Sequence, residues 1–127
     1  MLLWQDQNDW VHLANARTGG SGDHMVQSAF QRDNAHLWNV NEVNILGDPL
    51  PEYLRITKQG LTYTTSYSYD DVSYTTLGSH AYPAELQNPQ VQLFGKKVSA
   101  QGGPQLVAEF DWVRFVTLSN VDDWQLY

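Results

Sequence analysis

Glu109 and Asp111 are the pair of residues in this chain whose spacing first suggests acid–base chemistry. On a β-strand, residues two apart share a face, so the two carboxyls would stand side by side. A retaining glycosidase needs a nucleophile and an acid about 5–5.5 Å apart across the sugar. A second Glu further along the same face would complete the set, but here that face continues with Val113 and Phe115. Without the second carboxylate the acid and the base cannot both be supplied, so Glu109 and Asp111 read as local hydrogen-bonding groups of a closing strand, and no enzyme is expected.

Other chemistries find even less support. His12, His24, His36 and His80 have no cysteine companions and no His-Glu-x-x-His spacing, which removes the usual zinc arrangements. There is no Cys for thiol catalysis and no Gly-x-Ser-x-Gly elbow for a serine hydrolase. Asp6, Asn8, Asp9, Asp23, Asp33, Asp48, Asp70, Asp71, Asp122 and Asp123 offer hard oxygen ligands, yet none falls in the EF-hand spacing. No cofactor is expected from the residues themselves.

What the chain does carry is rings. Five Trp and seven Tyr bring aromatic content to 13%, while charged residues reach only 17%. Such a surface suits neutral polar ligands: the C–H faces of a sugar stack on rings and its hydroxyls take amide partners. Alternation sorts the rings. In Tyr53–Lys58, Leu54 and Ile56 are expected to face the core, which turns Tyr53, Arg55 and Thr57 outward; in Trp10–Ala14, inward Val11 and Leu13 leave Trp10 and His12 outward. His36 and Trp38 alternate with Leu37 and project together. Trp10, His12, Trp38, Tyr53 and Arg55 are therefore the candidate carbohydrate-binding residues, with Gln5, Gln27 and Asn39 as nearby amides.

The elements that must hold them are strands. Period-2 alternation and β-branched or aromatic runs recur about every ten residues between Gly, Pro, Asn and Asp, the pattern of a sandwich or barrel. Strands are expected at Leu2–Gln5, Trp10–Ala14, Met25–Arg32, His36–Val40, Tyr53–Lys58, Leu61–Tyr69, Ser73–Leu77, Val91–Phe94 and Gln105–Thr117, with Tyr82–Asn88 at most a short turn. Gln59-Gly60 reads as a tight hairpin and Asp70-Asp71 as a second turn; the tail Asn120–Tyr127, with Trp124 and Tyr127, is expected to pack. At 127 residues, with no repeat or linker, one all-β domain spanning residues 1–127 is expected. No stretch approaches the roughly 18 apolar residues of a membrane span, and a soluble chain is expected. A net charge of -7 with scattered Lys and Arg argues against nucleic acid.

These pieces together resemble a known family. Tyr53-Leu54-Arg55-Ile56-Thr57-Lys58-Gln59-Gly60, then Thr62-Tyr63-Thr64 and Tyr67-Ser68-Tyr69-Asp70, are similar to a recurrent motif of concanavalin-like sandwiches, in particular the C-terminal β-sandwich of family 43 glycoside hydrolases (xylosidases and arabinofuranosidases). Leu2-Leu3-Trp4-Gln5-Asp6 followed by Asp9-Trp10-Val11-His12-Leu13, then Val91-Gln92-Leu93-Phe94 and Glu109-Phe110-Asp111-Trp112-Val113-Arg114-Phe115, extend the match over most of the chain. The family's Asp-Gly turn is Asp70-Asp71 here, its usual following Trp is Tyr74, and a common aromatic is Ser66. The resemblance implies an antiparallel two-sheet jelly roll, an extracellular accessory module that recognises a polysaccharide, and a catalytic domain as neighbour. Structural calcium is frequent in such sandwiches. The family places one or more strands before Leu2–Asp6, so that strand, or the one it should pair with, is expected to lack a neighbour; an open edge tends to recruit a partner, with a homodimer as the expected form and a monomer capped by the tail Asn120–Tyr127 as the alternative.

Overall fold

The computed structural model describes residues 1–17, 24–33, 35–45 (as backbone), 50–94, 110–118 and 123–127. Ten strands form in chain order: β1 Leu2–Asp6, β2 Asp9–Arg17, β3 His24–Arg32, β4 Ala35–Ile45, β5 Tyr53–Gln59, β6 Thr62–Ser68, β7 Thr75–Ala81, β8 Gln90–Gln92, β9 Phe115–Thr117 and β10 Trp124–Leu126. They make two antiparallel five-stranded sheets, β4-β3-β2-β1-β8 and β7-β6-β5-β10-β9, packed as a β-sandwich.

Alternation decides which face of each strand meets the other sheet. Val11, Leu13, Val26 and Phe30 from the first sheet and Ile56, Tyr63, Thr65 and Leu126 from the second are all buried, and the hydrophobic ones form one cluster with Leu3, Tyr82 and Leu86. Leu54, which alternates with Arg55, packs against that cluster. Register keeps the faces coherent: Val11 stands opposite Leu3 and Phe30, and Ile56 opposite Thr65 and Leu126. Shifting any of these strands by one residue would turn its apolar set to solvent.

The turns follow from their residues. Gly60 has φ +54° and opens a two-residue loop between β5 and β6, the position where a hairpin wants a residue free to take positive φ. At the second turn the Asp70 carboxylate accepts hydrogen bonds from the Val72 and Ser73 amides and the Ser68 hydroxyl, at 2.9, 2.7 and 2.8 Å. Asp71 adopts φ +58°, filling with an Asp the place a Gly would take. Because those amides are spent on Asp70, β7 begins at Thr75 and not at Ser73, and it continues through Ala81.

Between the sheets, residues 82–89 cross from β7 to β8. Tyr82 donates its hydroxyl to the Trp10 and Gln31 carbonyls at 2.9 and 3.3 Å, while its backbone amide donates to Leu61 O at 2.9 Å, so this residue ties the two sheets together. Below it, Lys58 reaches Glu85 at 2.8 Å.

Two expectations are corrected. β1 is not an open edge, because β8 pairs with it as Leu2↔Gln92, Leu3↔Val91 and Trp4↔Gln90. The premise for dimerisation through that strand therefore falls away. The tail packs, as its rings suggest, by supplying β10 between β5 and β9. Of the long strand expected at Gln105–Thr117, the described residues 110–117 form a strand at Phe115–Thr117 alone; residues 105–109, Glu109 included, lie outside the described residues.

Candidate functional site

The five candidate residues do not share a surface. Trp10 and His12 lie on the outer face of the first sheet, Tyr53 and Arg55 on the outer face of the second, with the core between them. Trp38 belongs to β4 at the edge of the first sheet, and its side chain lies outside the described residues. One binding surface cannot use all five.

On the first sheet, Trp10 stands opposite Trp4 and Gln31, and His12 opposite Leu2 and Ala29. Phe94 stacks on the His12 ring, with centroids 5.7 Å apart and planes 19° from parallel. The imidazole is thus a packed ring, not a free stacking platform. Its Nε2 is buried without a hydrogen-bond partner, and burial pushes its pKa from 6.5 down to about 4.

On the second sheet the described residues gather into a continuous row. β5 presents Tyr53 and Arg55 outward. Pairing Leu126 with Ile56 sets Tyr127 beside Arg55. Backbone hydrogen bonds between Arg114 and Tyr127, at 3.0 and 3.4 Å, draw the 110–114 segment against the other side of that ring. The Asp70–Ser73 turn delivers Asp71 and Tyr74 from the opposite flank.

The result is a row in which guanidinium groups alternate with rings. Arg55 Cζ lies 3.6 Å above the Tyr74 ring and 5.7 Å from that of Tyr127. Arg114 Cζ lies 4.3 Å from the Tyr127 ring and 5.4 Å from that of Trp112. Trp112 closes the row, 6.2 Å from Tyr53 and 6.3 Å from Tyr127, and remains 45% exposed. Stacked in this way, each cation is held by the ring quadrupole while its edge stays available.

Polar contacts lock the row. Arg55 Nε donates to Ser66 Oγ at 3.3 Å, Tyr74 donates its hydroxyl to Asp71 Oδ1 at 2.5 Å, and Tyr127 donates to Gln125 Oε1 at 2.5 Å. Arg114 approaches the other oxygen of Asp71 at 3.9 Å. Burial, followed by the bond to Asp71, drives the Tyr74 phenol well above its usual range, so Tyr74 stays protonated and keeps donating. A row of exposed and half-buried rings interleaved with fixed donors can stack pyranose faces and hydrogen-bond their hydroxyls. Among the described residues no three His, Asp or Glu converge as metal ligands.

Tyr74, Trp112, Arg114 and Tyr127 were missed as site residues. A signal existed for three of them: Trp112 and Arg114 alternate two apart, and Tyr74 stands where the resembling family has Trp. Tyr127 joins only through the pairing of β10 with β5, which no local pattern encodes. No family model, no curated protein and no solved structure matches this chain.

Proposed function

We propose that this protein is a non-catalytic carbohydrate-binding module that recognises a plant or microbial polysaccharide of xylan or β-glucan type through the outer face of the β5-β10-β9 sheet. The observation that carries the proposal is the row Tyr74, Arg55, Tyr127, Arg114, Trp112, with Tyr53 beside it. Its rings are held by the stacked guanidinium groups and by the Tyr74–Asp71 and Tyr127–Gln125 hydrogen bonds, so little side-chain entropy is lost when a sugar stacks on them. The resemblance to the accessory sandwich of family 43 glycoside hydrolases supports the same reading and suggests an extracellular setting beside a catalytic domain.

A second reading is favoured by a separate observation. Phe110, Val113 and Phe115 are 51%, 46% and 60% exposed along the segment that ends in the edge strand β9. Exposed apolar side chains of this kind suit a protein contact, which makes a structural role, docked on the catalytic domain of a hydrolase, the alternative.

Affinity electrophoresis in gels containing xylan, mixed-linkage β-glucan or arabinan tests the proposal. Retardation that Trp112→Ala and Tyr127→Ala each weaken at least tenfold is expected, since truncating a central ring commonly removes more than about 1.4 kcal/mol. Unretarded migration in all three gels would refute it, and reducing sugar released by the isolated chain would replace it with catalysis.

A further inference from the structure

Resting on that reading, we propose that the arginine row selects carboxylated sugars, so that the preferred ligand is a polysaccharide bearing uronic acids. The charge balance at the site leads there. Asp71 meets Arg114 only at 3.9 Å and already accepts the Tyr74 hydroxyl at 2.5 Å. Among the described residues no carboxylate pairs with Arg55.

The geometry of Arg55 sharpens this. Its plane is fixed by Tyr74 at 3.6 Å on one face, and its Nε is committed to Ser66. What remains are the two Nη groups, which no other described side chain or carbonyl engages. A guanidinium edge of this kind matches a carboxylate through two parallel N–H···O bonds, whereas a sugar hydroxyl accepts from one N–H at a time. A carboxylate adds the attraction of opposite charges, which a neutral hydroxyl lacks, and Tyr74 already removes part of the cation's hydration. Arg114, 51% exposed on its side chain, lies 4.3 Å from the Tyr127 ring that Arg55 approaches at 5.7 Å, so successive sugar residues along a chain could stack on the exposed Trp112 ring and present a carboxylate to either cation.

The test compares one polymer in two forms, polygalacturonate or glucuronoxylan before and after chemical reduction of its carboxyl groups, by isothermal titration calorimetry with the intact chain. The quantity read is the ratio of the two affinities. A ratio of about ten or more for the parent is expected, falling towards one in Arg55→Gln and in the more exposed Arg114→Gln, and still lowered in Arg55→Lys, which keeps the charge but loses the fork. Equal affinity for the two forms in the parent overturns the selectivity while leaving carbohydrate binding in place. A ratio that survives in both Gln variants overturns its assignment to this row. Failure of either form, and of neutral xylan, to bind removes the underlying reading as well.

Discussion

Acidification should unfold this protein through His12 before it reaches the carboxylates. The ring is stacked under Phe94, its Nε2 has no partner, and its pKa falls from 6.5 to about 4 on folding. A base whose pKa is depressed in the folded state binds its proton more tightly in the unfolded chain. Its neutral form therefore supports stability above about pH 6.5, and that support is lost as pH falls towards 4. At about 1.4 kcal/mol per pH unit, the loss amounts to about 2 kcal/mol at pH 5 and at most about 3 kcal/mol at pH 4. Against a total of about 5–15 kcal/mol for a domain, this is a large share. Urea denaturation followed by tryptophan fluorescence across pH 4 to 7 measures it. In His12→Phe, where an apolar ring replaces the imidazole against Phe94, the slope between pH 5 and 6.5 should flatten. A parent and a variant with the same slope would show that the His12 ring is not held neutral by its surroundings.

Other perturbations address the fold. Tyr82→Phe removes the hydroxyl that links the Trp10 and Gln31 carbonyls to the crossover, and should cost about 1 kcal/mol in urea denaturation without a change in m-value. Gly60→Ala meets no atom within 4 Å but must keep φ +54°, so it should cost about 1 kcal/mol, while Gly60→Asn, which tolerates that conformation, should cost less; equal losses would refute the backbone argument. Asp70, held at a pKa of about 2 by the Ser73 and Val72 amides and the Ser68 hydroxyl, contributes above its unfolded value of 3.8 and loses that contribution only as pH falls towards 2. Asp70→Ala should therefore lower the Tm at neutral pH and bring it nearer to the parent's at pH 2.

Strand positions were legible because each depends on a local pattern: Leu54 and Ile56 against Arg55, or Val11 and Leu13 against Trp10 and His12, fix a face without reference to the rest of the chain. Turns were legible for the same reason, through Gly60 and the Asp70-Asp71 pair. Pairing between distant strands was not. Nothing in Gln90–Gln92 announces that it covers β1, and nothing in Trp124–Leu126 announces that it slots between β5 and β9. The candidate site suffered accordingly. Tyr53 and Arg55 were found from alternation, but their partners Tyr127, Arg114 and Trp112 reach them only through that insertion. Alternation marks outward residues without saying which sheet they belong to, so Trp10 and His12 were grouped with a surface they do not share.

The central claim, that carbohydrate binds on the β5-β10-β9 face, is tested most directly by titrating a xylo- or gluco-oligosaccharide, in neutral and uronic-acid-bearing forms, into the isotopically labelled protein. The side-chain resonances to follow are the tryptophan indole N–H and arginine Nε–H signals. Trp112 reports on one outer face, and Trp4 and Trp10 on the other. The account predicts that Trp112, Arg55 and Arg114 shift together in a saturable way while Trp4 and Trp10 stay in place. Shifts confined to Trp4 and Trp10, or no saturable shift with any of these sugars, would contradict it.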